Sequence, residues 1–95
     1  MAEKPAPDET NAESLARLMR SPLRKLSYAE ALDSVATLID IATDLRDAPA
    51  ITRAFEQLKS IERRALGPAD QAIVHYFRAN AWNARRIIRT SAGPR

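Results

Sequence analysis

The amino-acid sequence predicts a small all-α domain with three main antiparallel helices and a short N-terminal helix. Only two of the 95 residues are glycine, and the helix-favouring residues Ala, Leu, Arg and Glu are abundant. Apolar residues recur at the three- to four-residue spacing of a helix, and the alternation typical of strands is absent. A chain of this length can bury one hydrophobic core, so we expect one domain.

Composition excludes several classes of function. The chain has no cysteine, which removes disulfides, thiol chemistry and the usual structural zinc sites. His75 is the only histidine and cannot build a metal cluster by itself. No apolar run approaches the about 18–20 residues of a membrane-spanning helix, and the acidic, proline-containing N-terminus is unlike a signal peptide. We therefore expect a cytoplasmic protein that takes no cofactor, metal ion or small-molecule substrate and does not act at a membrane.

The predicted domain covers residues 12–91, between a disordered tail at 1–11 and a C-terminal tail at 92–95. The N-terminal tail has two prolines, mixed charge and no hydrophobic periodicity. A short first helix is predicted at 13–20 from the spacing of its apolar residues. Pro22 ends it, because proline lacks a backbone donor and disfavours helix in the residue before it.

A capping box predicts the start of the second helix. The Ser27 hydroxyl can accept a hydrogen bond from the Glu30 amide while the Glu30 carboxylate reaches back to Ser27. The helix runs to about residue 46, with an apolar stripe of Tyr28, Leu32, Val35, Leu38, Ile39, Ala42 and Leu45. Its opposite side is acidic and consists of Glu30, Asp33, Thr37, Asp40 and Asp44. Such carboxylates can act as general acids or metal ligands, but a continuous polar face without histidine favours a solvated surface.

Two further breaks divide the rest of the chain. Asp47 can cap a third helix at about 50–65, and proline follows in its first turn. The inward residues of this helix are Ile51, Ala54, Phe55, Leu58 and Ile61. Gly67 is predicted to be a left-handed C-cap, and Pro68 fits the first turn of the final helix. Because the turns are short, consecutive helices should pack as antiparallel neighbours.

The final helix, at about 70–89, is the most informative part of the sequence. Its apolar residues share one broad arc and comprise Ile73, Val74, Tyr76, Phe77, Ala81, Ala84, Ile87 and Ile88. The opposite face carries Trp82 at helical spacing from Arg78, Arg85, Arg86 and Arg89. Asn80 falls inside the apolar arc, where an amide must either bond a neighbouring helix or line a ligand groove. No helix follows in the sequence to cover the arc.

Charge is distributed unevenly along the chain. Residues 1–47 carry six basic and nine acidic side chains, and residues 48–95 carry nine basic and three acidic ones. A basic second half suggests an acidic protein patch or a nucleic acid as partner. A solvated basic helix surface explains the same charges without a partner.

The second and third helices resemble a tetratricopeptide repeat, which places large, apolar and small residues at set helix positions. Its first helix is matched by Leu38, Ile41, Ala42 and Leu45. Its second helix is matched by Ala54 and Leu58, with Ile61 where a small residue is usual. Pro68 follows near the end of the repeat. The run Ala79-Asn80-Ala81-Trp82 resembles the opening of a second repeat, from which His75 and Arg78 depart. The resemblance implies a stack of helical hairpins that acts as a protein-interaction module.

The segment from His75 to Trp82 also resembles the N-terminal helical region of bacterial proteins that join such repeats to a HEPN ribonuclease-type domain. The Arg-to-His catalytic motif of that domain is absent. No Ser/His/Asp grouping or other catalytic set is present either. We therefore expect no enzymatic activity and assign no catalytic residue.

The candidate partner-binding residues are Trp82, Arg78, Arg85, Arg86, Arg89 and Asn80. Trp82 can be a packing residue between helices, a stacking platform for nucleic acid beside the arginines, or an anchor for an acidic protein or a second copy of the chain. The sequence favours a protein or peptide partner, with RNA or DNA binding as the alternative. The exposure of Trp82 separates the packing role from the two binding roles.

Overall fold

The computed structural model describes residues 9–91, and every regular element among them is helical. The helices are α1 (Asn11–Met19), α2 (Tyr28–Asp44), α3 (Ala48–Glu62) and α4 (Pro68–Ser91), with a 3-10 turn at Leu23–Lys25 between α1 and α2. The predicted all-α class is therefore confirmed. The two predicted tails lie outside the described residues, except for residues 9–11.

Side-chain caps define where the first three α-helices begin. Thr10 and Glu13 form a capping box, and α1 begins at residue 11, two residues before the predicted start. The predicted box of Ser27 and Glu30 is present at the start of α2. Asp47 accepts a hydrogen bond from the Ala50 amide at 3.0 Å and caps α3. Each cap satisfies amide donors that the first helical turn leaves without backbone partners.

The end of α2 is a Schellman motif that uses arginine where glycine is usual. The Asp47 amide donates to the Ala42 carbonyl at 2.9 Å, and the Arg46 amide donates to the Thr43 carbonyl at 3.2 Å. Arg46 has a φ of 55°, the left-handed conformation that residues other than glycine rarely adopt. The turn between α2 and α3 therefore carries backbone strain.

The predicted left-handed conformation of Gly67 is wrong, since no glycine among the described residues has a positive φ. Helix α3 ends at Glu62, several residues before the glycine, so Gly67 cannot act as its C-cap. The Gly67 carbonyl instead accepts a hydrogen bond from the Gln71 amide at 3.0 Å. Gly67 belongs to the beginning of α4 and not to the end of α3.

One core joins all four helices. Its members in the described part of the chain are Leu15, Leu18, Leu23, Ala31, Leu32, Val35, Leu38, Ile39, Ala42, Ala50, Ile51, Ala54, Leu58, Ile61, Val74, Ala81, Ala84 and Ile88. Phe55 and Phe77 were predicted to face inward, but both are only partly buried against this core. Replacing either with alanine should therefore cost less than the about 3–5 kcal/mol of a fully buried phenylalanine.

Contacts between elements show the direction of each helix. The hydroxyl of Tyr28, at the start of α2, donates to the carbonyl of Asp70, at the start of α4, at 2.8 Å. Helices α2 and α4 therefore begin at the same end and run side by side in the same direction. Helix α3 runs antiparallel to α4, since Glu62, near its C-terminus, contacts Arg78 and its earlier residue Phe55 contacts Trp82. None of the helices at residues 9–91 has both the length and the hydropathy that crossing a membrane requires.

Polar side chains on α3 and just after it bond to the chain that leads from α1 to α2. Gln57 Nε2 donates to the Leu18 carbonyl at 3.2 Å, and Arg53 Nε donates to the Met19 carbonyl at 2.9 Å. Arg64, just after α3, donates to two carbonyls at the 3-10 turn at 3.2 and 2.7 Å. These bonds give additional donors to carbonyls at the end of α1 and at the 3-10 turn.

Replacing Arg46 with glycine is expected to raise the free energy of unfolding by about 0.5–1 kcal/mol. Glycine avoids the steric cost of about 1–2 kcal/mol that an L-residue incurs at positive φ, but it loses more backbone entropy on folding. Urea denaturation followed by circular dichroism measures the change. Arg46→Ala is the control, because it keeps the strain and removes only the guanidinium bond to the Thr43 carbonyl at 3.1 Å. Equal stability of the two variants would contradict the proposed strain.

Candidate partner-binding site

The apolar arc of α4 is only partly buried. Val74, Ala81, Ala84 and Ile88 belong to the core. Ile73, Tyr76 and Ile87 were predicted to share the inward face, but they are 42%, 64% and 39% exposed. The reason is that α4 packs mainly against α2 and α3, and two neighbours cover a narrower arc than the sequence pattern spans.

A groove of about 620 Å³ runs between α2 and α4 on the exposed side of this arc. Its α2 wall is formed by Ala36, Ile39, Asp40, Thr43 and Asp44, and its α4 wall by Tyr76, Phe77, Asn80, Asn83, Ala84 and Ile87. The wall on α4 is aromatic and aliphatic with two amides, whereas the wall on α2 carries two exposed carboxylates, Asp40 and Asp44. The groove can thus receive an amphipathic ligand with cationic groups on the α2 side.

Asn80 lies on the groove wall and not among buried residues. The side chain is exposed, so of the two roles predicted for it the structure favours lining a groove over bonding a buried neighbour. Residues two positions apart on an α-helix lie about 160° apart around its axis. Asn80 therefore does not share a surface with Trp82, and the six predicted partner-binding residues divide into two groups.

Trp82 lies on the other flank of α4, beside α3, and is 55% exposed. Its ring packs against Phe55 with 5.0 Å between ring centroids and 60° between the planes. The guanidinium carbon of Arg85 lies 4.7 Å from the Phe55 ring centroid and 5.0 Å from that of Trp82. Trp82 of α4 therefore packs against α3 and also remains partly on the surface. Sequence analysis did not identify Phe55 as its partner, because the contact joins two helices.

The arginines of this flank are not equally available to a ligand. Arg78 forms an ion pair with Glu62 at 2.9 Å, and Arg85 is held over two aromatic rings. Arg86 and Arg89 are exposed. A depression of about 450 Å³ is lined by Trp82, Asn83, Arg85, Arg86 and Arg89. Its positive charge comes chiefly from the two exposed arginines together with Arg85.

The ion pair between α3 and α4 changes the titration of its carboxylate. The hydrogen bond from Arg78, together with the positive charge of that guanidinium, lowers the pKa of Glu62 below its ordinary value. Both side chains are partly exposed, so the contribution of the pair to stability is small. The pair positions Arg78 against α3 and directs it away from solvent.

Within residues 9–91, no group of three or more His, Asp or Glu side chains is arranged to hold a metal ion. Comparison of the chain with models of known protein families, with characterised proteins and with solved structures finds no match. The resemblances to tetratricopeptide repeats and to HEPN-associated helical regions therefore remain predictions. The two flanks of α4 are the surfaces from which a function can be inferred.

Replacing Arg78 with methionine is expected to raise the pKa of Glu62 toward its ordinary value, because the hydrogen bond and the nearby positive charge are both lost. Carboxyl ¹³C chemical shifts recorded across an acid titration measure the change. The depressed pKa contributes stability that is complete above the unfolded pKa of about 4.3 and is lost as pH falls through the folded pKa. The variant should lack this acid dependence.

The control is Arg86→Met, which removes a guanidinium from the same helix at a position away from Glu62. It should leave the titration of Glu62 unchanged. A shift of the same size in both variants would show that general charge, and not the pair, sets the pKa.

Proposed function

We propose that this chain is a protein-interaction module that receives a helix of a protein partner in the groove between α2 and α4. The observation that carries the proposal is that exposed Tyr76 and Ile87 line that groove, with exposed Ile73 one turn before Tyr76 on the same flank of α4. Single exposed apolar residues are ordinary on protein surfaces. Ile73, Tyr76 and Ile87 differ because they follow one flank of α4 over more than three turns, and two of them, Tyr76 and Ile87, line the same groove.

The shape and chemistry of the groove fit a helical partner. Helix-in-groove recognition uses an amphipathic helix whose apolar residues, at intervals of three and four, contact a hydrophobic channel. Tyr76, Phe77 and Ile87 supply the apolar contacts, and Asn80 and Asn83 supply hydrogen-bonding groups between them. Asp40 and Asp44 on the α2 wall favour lysine or arginine on the adjacent edge of the partner helix.

Selection from a displayed library of heptad-patterned helical peptides tests this function. With the chain immobilised sparsely, we expect the enriched peptides to carry apolar residues at the helix-facing positions and lysine or arginine along one edge. Titration of a labelled selected peptide by fluorescence anisotropy then gives its affinity. Changing both Ile73 and Ile87 to aspartate should weaken binding by at least about 100-fold, since two apolar anchors are lost and two carboxylates would have to be desolvated against the apolar face of the peptide.

The matched control is Leu66→Asp, because Leu66 is 94% exposed and lies outside the groove. It should leave peptide affinity unchanged. A selection that enriches no helix, or enriches only helices that bind the double aspartate variant equally well, contradicts the proposed function.

A second candidate function is RNA or DNA binding through the Trp82 flank. The observation that favours it is the half-exposed indole beside Arg85, Arg86 and Arg89 at one depression. Aromatic rings stack on bases and arginines contact phosphates in single-stranded nucleic-acid sites. The ion pair of Arg78 with Glu62 reduces the number of available cations, so this surface is less suited to a polyanion than the sequence suggests.

If this flank binds nucleic acid, the affinity should fall only gradually as the salt concentration rises. With about three phosphate contacts on single strands, the slope of log affinity against log salt should be about −2. Anisotropy of labelled single-stranded RNA and DNA at low ionic strength, together with quenching of Trp82 fluorescence, measures it. Arg86→Glu with Arg89→Glu should abolish binding, whereas Arg24→Glu, an exposed arginine in the 3-10 turn, should not. No binding at low salt removes this candidate.

A further inference from the structure

The exposed flank of α4 has the spacing of a coiled-coil seam. Alternating steps of three and four residues connect Ile73, Tyr76, Asn80, Asn83, Ile87 and Thr90, and all six side chains are exposed. We name this set the α4 seam. In heptad terms Ile73, Asn80 and Ile87 are a positions, and the other three are d positions. A flank with this 3.5-residue period fits a second helix that runs alongside α4.

We propose that the helix received by this groove is α4 of a second copy of the chain, and that the two copies pair in parallel about a two-fold axis. The inference rests on the proposed protein-interaction function and names its partner. In a two-fold pair the same surface serves both copies, so the surface must complement itself. The α4 seam meets this requirement in its apolar residues, its amides and its flanking charges.

The apolar residues and the central amides favour a parallel pair in one register. In that arrangement each seam residue faces its own equivalent, which places Ile73, Tyr76 and Ile87 in apolar layers. Asn80 then pairs with its equivalent at an a position, where a buried asparagine specifies the two-stranded state and the register. A one-heptad shift would place Asn80 against an isoleucine and leave its amide without a partner.

The flanking residues also suit a parallel pair. The e positions Phe77 and Ala84 line the groove next to α2. Across a parallel pair the e flank of one helix faces the g flank of the other, which carries Ala79 and Arg86. Because α2 runs in the same direction as α4, Arg86 of the second copy reaches the level of Asp44. Asp44 of each copy therefore faces Arg86 of the other.

An antiparallel pair would bring like charges together. The e flanks of the two helices would face each other, so both α2 helices would lie on the same side of the pair. Asp40 of each copy would then approach its equivalent near the two-fold axis, an arrangement that electrostatic repulsion disfavours. Charge complementarity thus favours the parallel pair over the antiparallel one.

The length of the seam predicts a weak dimer. Seventeen residue steps separate Ile73 from Thr90, so the seam is about 26 Å long at about 1.5 Å per residue. This is shorter than the three to four heptads typical of independent coiled coils. Contact with α2 of the other copy adds to the interface that the seam forms. We expect a dissociation constant in the range of about 10–300 µM, as for small interfaces.

Sedimentation equilibrium of the full chain from about 5 to 500 µM tests the pairing, over a range that brackets the expected dissociation constant. The average mass should rise with concentration from near that of the 10.6 kDa chain toward twice that value. Ile73→Asp with Ile87→Asp should remain monomeric at every concentration, with unchanged helical circular dichroism because both positions are exposed. Leu66→Asp should dimerise like the unaltered chain. A monomeric unaltered chain at 500 µM, or a dimer that the double variant retains, overturns the proposal.

Oxidative cross-linking distinguishes the two orientations, and the absence of native cysteine makes single thiols specific. In a parallel pair Ile87→Cys faces its own equivalent and should form a disulfide-linked dimer with copper phenanthroline in air. In an antiparallel pair residue 87 faces residue 76, so only a mixture of Ile87→Cys and Tyr76→Cys chains would cross-link efficiently. That second result overturns the parallel arrangement. Lys59→Cys, on the exposed side of α3, is the control for random collision.

Charge exchange tests the contact between Asp44 and Arg86. Asp44→Lys should weaken dimerisation at least about tenfold, and Arg86→Glu should do the same. Combining the two changes should restore most of the affinity, because opposite charges face each other again. Additive weakening in the combined variant contradicts the parallel pair.

The peptide selection separates this inference from the function on which it rests. Helical peptides that bind through Ile73 and Ile87 to a chain that stays monomeric would support the interaction module and reject the second copy as its partner. Failure of both experiments would reject both.

Discussion

Helix α4 has a wider apolar arc than its neighbours can cover, so part of this arc remains on the molecular surface. The core takes Val74, Ala81, Ala84 and Ile88, which face α2 and α3. Of the remaining apolar residues of the arc, Tyr76, Phe77 and Ile87 line the groove, and Ile73 is exposed. No further helix among the described residues buries them, which is why the proposed partner is one that would remove them from water.

The two flanks of α4 differ because different helices lie beside them. Helix α2 contributes exposed carboxylates to one flank, which gives the groove an apolar wall and an acidic wall. Helix α3 contributes Phe55 and Glu62 to the other flank, where they engage Trp82, Arg85 and Arg78. Interactions within the domain thus use part of the basic flank, whereas the groove is open. This asymmetry is why a protein helix is a better candidate partner than a nucleic acid.

Polar side chains on and just after α3 bond to the segment between α1 and α2. Gln57, Arg53 and Arg64 donate to carbonyls at the end of α1 and at the 3-10 turn. The Gln57 Oε1 atom is buried with no hydrogen-bond partner, so the donor bond to Leu18 is made at the cost of an unsatisfied acceptor. These hydrogen bonds join residues 34 to 41 positions apart in the sequence, and the apolar pattern of α3 gives no indication of them.

The sequence by itself determined the features that depend on neighbours within about four residues along the chain. These are the all-α class, the capping box at Ser27, the cap at Asp47 and the apolar stripes, because helical hydrogen bonds and caps are local. Only the tertiary structure decided which part of the α4 arc is buried, that Asn80 and Trp82 lie on separate surfaces, and that Arg78 pairs with Glu62. Each of these depends on which helix lies beside α4 and at what height, and periodicity along one helix contains no information about its neighbours.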